Sequence, residues 1–110
     1  MEESGRSALE QAIRKMWDQF LPELKERVAL IETAAHGLHA GKCTAEQLKE
    51  AYLAAHKLAG VLGTFGLMEG TELAREAENL FEAGLEHAAP ESARLESIAA
   101  RLRQRIVERQ

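Results

Sequence analysis

Thr44–Gly66, TAEQLKEAYLAAHKLAGVLGTFG, carries the reading from which the rest of the chain follows. Thr44 with Gln47 three residues on makes a capping box, in which each side chain satisfies a backbone N–H left without a partner at a helix start. Leu48, Ala51, Tyr52, Ala55, Leu58 and Leu62 then recur at helical spacing and mark one face. Where that helix ends, four of the chain's eight glycines gather: Gly60, Gly63, Gly66 and Gly70. A glycine inside a helix costs about 0.5–1 kcal/mol relative to alanine, so a local excess needs a reason. Steps of three, four and seven return to the same side of a helix, which puts residues 49, 52, 53, 56, 59, 60 and 63 together. His56 stands in the middle of that strip, with the surface beside it shaved flat by glycine. A docking partner needs such a surface to reach the ring closely.

Upstream, Ser7 reads as an N-cap, and Leu9, Ile13, Met16, Trp17 and Phe20 share a helical face. Pro22 suits the first turn of a new helix, so a break or kink is expected there. The next helix carries Leu24, Val28, Leu30, Ile31, Ala35 and Leu38 and stops at Gly41. Downstream, a helix runs from about Met68 to Ala83, with Leu73, Ala77, Leu80 and Phe81 inward and Gly84 ending it. Pro90 opens the last helix, whose inward residues are Leu95, Ile98, Leu102, Ile106 and Val107. The connections are short, which favours antiparallel neighbours. The expected fold is all-α: an antiparallel four-helix up-down bundle with an additional short N-terminal helix. Residues 1–6 are read as a flexible N-terminus and residues 7–110 as one bundle domain.

Composition agrees. A chain of 110 residues, 45% hydrophobic and 29% charged, has the balance of a single soluble domain with one core. The net charge of −4 argues against nucleic acid as a partner, because phosphate binding needs a basic surplus. The single cysteine, Cys43, forms no internal disulfide and fits a reducing compartment. No apolar run approaches the ~20 residues of a membrane span. The acidic start is unlike a secretory signal. A cytoplasmic monomer is expected.

The segment Ala55–Gly66, AHKLAGVLGTFG, resembles the histidine phosphotransfer (HPt) domains of two-component phosphorelays. Their pattern is H-x-L-K-G, followed by a further glycine six residues after the first. His56, Leu58, Gly60 and Gly66 match it in place, and Gly63 stands where the family usually has a small residue. Leu73–Phe81, LAREAENLF, is similar to the family's L-x-x-x-x-E stretch. The helix order agrees over nearly the whole chain. Two positions depart from the pattern. The usual lysine three residues after the histidine is Ala59, leaving Lys57, about a quarter-turn away, and Arg75 on the next helix as the cations that could replace it. Val61 and Leu62 stand where small residues are more usual.

The resemblance implies a phosphorelay carrier. His56 would accept a phosphoryl group from a receiver-domain aspartyl phosphate or from a histidine kinase, and pass it to a receiver aspartate. Histidine's ordinary pKa of about 6.5 leaves a neutral, nucleophilic nitrogen available near neutral pH. In the family a Glu or Gln at the Glu78 position contacts the ring. A carboxylate there would accept the Nδ1 proton and leave Nε2 to attack. Leu53, Lys57, Ala59, Gly60, Gly63, Leu67 and Arg75 would form the receiver-docking surface or the phosphoryl surroundings. The receiver is expected to bring the Mg²⁺ and a lysine. The sequence has no nucleotide fingerprint and no phosphate-cradling loop, so the expectation is a carrier with no cofactor or metal of its own rather than an enzyme.

Plainer readings stand beside these. Glu78 can be a solvated face residue, and Lys57 and Arg75 ordinary solubilising charges. His36 and His39 make an H-x-x-H, but no Cys, Asp or third His completes a metal site nearby. Cys43 precedes a helix N-terminus without a base beside it and is read as incidental. The competing function is a helical docking or dimerisation module that binds receivers without phosphotransfer. A metal-binding four-helix bundle would need paired Glu-x-x-His motifs facing inward, and only scattered single candidates, such as Glu32 with the histidines of its own helix, are found.

Overall fold

The computed structural model describes residues 2–86 and 91–109. Four helices follow one another: α1 (Glu2–His39), α2 (Ala45–Thr64), α3 (Met68–Glu86) and α4 (Ser92–Arg109). Each packs against its neighbours in sequence, and α4 closes back on α1, giving the expected antiparallel up-down ring of helices. The described residues contain no strand.

The separate N-terminal helix does not exist. Its residues are the first turns of α1, which runs unbroken through Pro22, and Ser7 lies inside it rather than at its start. The reason is the stripe Trp17, Leu21, Leu24, Val28, Ile31 and Ala35, which alternates spacings of four and three without a slip across the proline. All of these but Leu21 are fully buried, and Leu21 packs against the core. Pro22 itself is exposed, so the Asp18 carbonyl that loses its helical partner lies on the water side. At 38 residues α1 is about twice as long as α2, α3 or α4. Its early turns overhang the bundle, leaving Leu9, Ile13 and Met16 exposed.

The helix ends follow local chemistry. Thr44 and Gln47 form the expected reciprocal capping box, at 3.1 and 3.0 Å. Gly41 and Gly66 take φ of 70° and 75°, the left-handed backbone that closes a helix. After α2, the Leu67 N–H donates to the Leu62 carbonyl and the Gly66 N–H to the Gly63 carbonyl, so the chain reverses within a few residues. Gly84 keeps helical dihedrals and does not stop α3, which continues to Glu86. Val107 is exposed, a position beyond the stripe of Leu95, Ile98, Leu102 and Ile106. The expected start at Pro90 lies outside the described residues.

One end of the core is aromatic. Trp17 and Phe20 both meet Phe65 edge-on, with centroids 5.1 and 6.2 Å away, and the Arg109 guanidinium lies 5.1 Å over the Trp17 ring. The seam between α2 and α3 draws on buried residues that are mostly small: Ala51, Ala54, Ala55 and Ala59 lie with Leu58 and Leu62 on the buried side of α2, and Gly70, Ala74 and Ala77 with Thr71 and Phe81 on that of α3. Small side chains let two helices lie close, and across this seam the candidate site is built.

Candidate functional site

His56 sits two turns before the end of α2, on its outer face, with its side chain 66% exposed. Its Nδ1 lies 2.8 Å from Oε2 of Glu78 on α3. Glu78 follows the buried Ala77 and is only 19% exposed, so its stem packs in the seam while its carboxylate emerges beside the ring. A carboxylate accepts only, so the neutral ring must donate from Nδ1, which fixes the proton there. Nε2, on the far side of the imidazole, is the nitrogen left with a free lone pair. Two residues that the sequence treats as candidates are thus within hydrogen-bond range.

The other candidates divide between the two flanks of His56. A Cβ built on Gly60 would meet nothing within 4 Å, so the surface one turn beyond His56 is bare backbone open to a partner. Gly63 is different: a Cβ there would come 3.2 Å from Oγ1 of Thr71, so this glycine serves the packing of α3 on α2. Ala59 is also turned into the seam, at 6% exposure, and offers little docking surface. The correction has a simple cause. Residues three or four from His56 lie up to about 60° to either side of it, and one of those sides is covered by α3.

Leu53 and Lys57 take the opposite flank. Leu53 is exposed, and with Lys57 it lines an open groove between α2 and α1 whose far wall holds Glu26, Arg27 and Leu30. Arg27 sits in this groove with Nη2 3.4 Å from Glu23 and with Nη1 buried and without a hydrogen-bond partner. Among the described residues, neither Lys57 nor Arg75 makes a hydrogen bond or ion pair to His56 or Glu78, so neither is held against the ring. Leu67, in the α2–α3 turn, is half-buried and packs on the core.

Thr71 was not legible as part of this site. The wheel puts it on the polar side of α3 with Arg75, Glu78 and Glu82, yet it is buried at 4% exposure, and its hydroxyl donates to the Ala59 carbonyl at 3.1 Å. Gly63, facing it, was the signal available. His36 and His39 are both exposed, and His39 Nδ1 lies 3.6 Å from Glu96. Among the described residues, no three His, Cys, Asp or Glu side chains converge as a metal site. Burial pushes the Cys43 thiol up rather than down. No helix among the described residues is long and apolar enough to cross a membrane.

The chain is 30% identical over 66 residues to protein RcaC of Microchaete diplosiphon, a match covering 60% of this chain and 10% of that protein. No solved structure matches. The family model described as "Hpt domain" matches residues 15–106, which span α1 from before Trp17, the whole His56–Glu78 seam and nearly all of α4. Members of that family are phosphocarrier modules of phosphorelays that work with receiver domains and kinases. Matched over most of its length by that model, this helical bundle, with the exposed His56 ring held at Nδ1 by a glutamate across the seam, belongs to the Hpt domain family.

Proposed function

We propose that this chain is a phosphorelay carrier in which His56 takes a phosphoryl group from a receiver aspartyl phosphate or a histidine kinase and passes it to a receiver aspartate. The observation that supports this reading above the others is the exposed His56 ring with Nδ1 2.8 Å from the half-buried Glu78 carboxylate. Nε2 attacks phosphorus in line with the bond to the leaving carboxylate oxygen. The N–P bond forms, the P–O bond breaks, and the aspartate leaves as a carboxylate. No proton has to leave the ring, because Nδ1–H remains on Glu78, whose charge offsets that of the imidazolium. Transfer of this kind depends on alignment and charge stabilisation, which in this reading come from the receiver's Mg²⁺ and lysine. Gly60 and Leu53 bracket the ring as docking surface, and Lys57 and Arg75 stand within its wider surroundings. The chain acts as a cytoplasmic monomer and has no kinase or hydrolase activity of its own.

A second reading, receiver docking without transfer, draws on Ala59: the position where the family usually has a lysine is apolar and buried. One experiment separates the two. The chain and its His56→Gln variant are offered a panel of phosphorylated receivers and histidine kinases. Acid-labile, base-stable label on the wild type and none on the variant is the expected result. Folded protein that binds receivers but takes no label from any donor would establish docking alone.

A further inference from the structure

We propose that Thr71 is a positioning residue for His56: its hydroxyl fixes the register of α3 on α2 and thereby holds Glu78 against the ring. The inference rests on the reading of His56 as phosphoacceptor. Thr71 is the only buried polar or charged residue among the described ones. Its Oγ1 donates to the Ala59 carbonyl at 3.1 Å, so the bond runs from α3 to the backbone of α2. Gly63, one turn beyond Ala59, supplies the room, since a Cβ there would stand only 3.2 Å from that oxygen. Such a contact forces the neighbour to give by a few tenths of an ångström.

The rest of the seam is largely alanine, glycine and leucine, which pack without direction and resist sliding weakly. One directional bond therefore carries weight in setting the axial position. The geometry connects it to the ring. Ala59 follows His56 by three residues and Glu78 follows Thr71 by seven, so both contacts lie on the same face of the helix pair. A displacement of Glu78 away from the ring by about 0.5 Å would take the 2.8 Å contact to the outer edge of hydrogen-bonding distance. The consequence at His56 is tautomeric. An imidazole without Glu78 favours the proton on Nε2, the nitrogen that must be free to attack.

The test is ¹⁵N-histidine NMR of the whole chain at a pH where His56 is neutral, with the His56 ring signals assigned by their loss in His56→Gln. The wild type is expected in the Nδ1–H form, with Glu78→Ala as the positive control for its loss. Thr71→Val removes the hydroxyl but keeps the volume, and should lower the ratio of Nδ1–H to Nε2–H by about three- to tenfold, the range set by losing a charge-assisted bond at an exposed ring. Thr71→Ser should restore it. A folded Thr71→Val with the wild-type ratio overturns the proposal and leaves Thr71 as a contributor to stability only. If Thr71→Val does not fold, Thr71→Ala removes the same hydroxyl, and the same fall or its absence decides. The signature needs no phosphodonor, so a wild type in the Nδ1–H form that takes no phosphoryl group would count against the carrier reading alone.

Discussion

His56 and Glu78 are 22 residues apart in sequence and 2.8 Å apart in space, and they are unequally covered, the histidine side chain 66% exposed and the glutamate side chain 19%. A solvent-facing imidazole is thereby steered by a carboxylate whose stem is held in a packed seam. The inequality suits a group that must face a partner protein in one orientation and one tautomer.

Replacing Glu78 separates orientation from charge. Glutamine keeps a carbonyl that accepts from Nδ1–H but loses the negative charge opposite the imidazolium. Transfer to Glu78→Gln should fall by about two- to threefold and to Glu78→Ala by about three- to tenfold, the upper end limited by solvent screening at an exposed ring. Single-turnover transfer from one phosphorylated receiver gives both rates. Equal rates for alanine and wild type would remove Glu78 from the mechanism.

Gly60 sets stability against docking. The fold gives no reason for a glycine there, since an added Cβ meets nothing. Gly60→Ala should raise stability by about 0.5–1 kcal/mol, or the melting temperature by a few degrees. It should also slow transfer, because the methyl stands one turn from His56 in the path of a partner. Urea denaturation and the transfer assay on the same variant check the two halves. A variant that is stabilised yet transfers at the wild-type rate would show that no partner approaches over this residue.

Much of this could be read from the chain, and the gaps have particular causes. The Thr44–Gln47 box, the Gly41 and Gly66 reversals and the buried stripes are local, so spacing alone exposes them. Glu78 against His56 came from family resemblance, since a helical wheel has no knowledge of which helix lies opposite. For the same reason the wheel placed Ala59 and Gly63 on the docking surface, when that flank is under α3. Thr71 was hidden because its partner is a backbone carbonyl, which leaves no mark in a sequence. The break expected at Pro22 failed because tertiary burial on both sides of it outweighs one missing hydrogen bond.

That last point is measurable. An interior proline costs a helix about 3 kcal/mol, and Pro22 is exposed, so alanine there loses no packing and restores an N–H to the Asp18 carbonyl. Against this, removing the ring frees the unfolded chain by about 0.4–1 kcal/mol. Pro22→Ala should therefore stabilise the protein by about 1–3 kcal/mol in urea denaturation, with helicity by circular dichroism equal to or above the wild type. A destabilised variant would mean that the proline shapes a bend the bundle needs.

The attachment of α4 predicts the response to acid. Arg101 and Arg105 both bond to Glu69, at 2.6 and 2.7 Å, and Arg94 grips Glu76 through two nitrogens, so α4 is clamped to α3 by guanidinium–carboxylate pairs. The hydrogen bond from Arg101 holds the Glu69 carboxyl below its ordinary range, and that from Arg94 does the same for Glu76. A carboxyl with a lowered folded-state pKa adds stability above its unfolded value of about 4.3, and that stability is lost as pH falls through the folded value. The urea midpoint should thus hold steady from neutral pH to about 5 and then decline. Because these groups are exposed, the decline should shrink in about 0.5 M salt. The double variant Glu69→Gln, Glu76→Gln, with no carboxylate to protonate at either place, should start from a lower midpoint at pH 7 and lose less of it on acidification. If its acid limb is as steep as the wild type's, carboxylates other than these two control the acid transition.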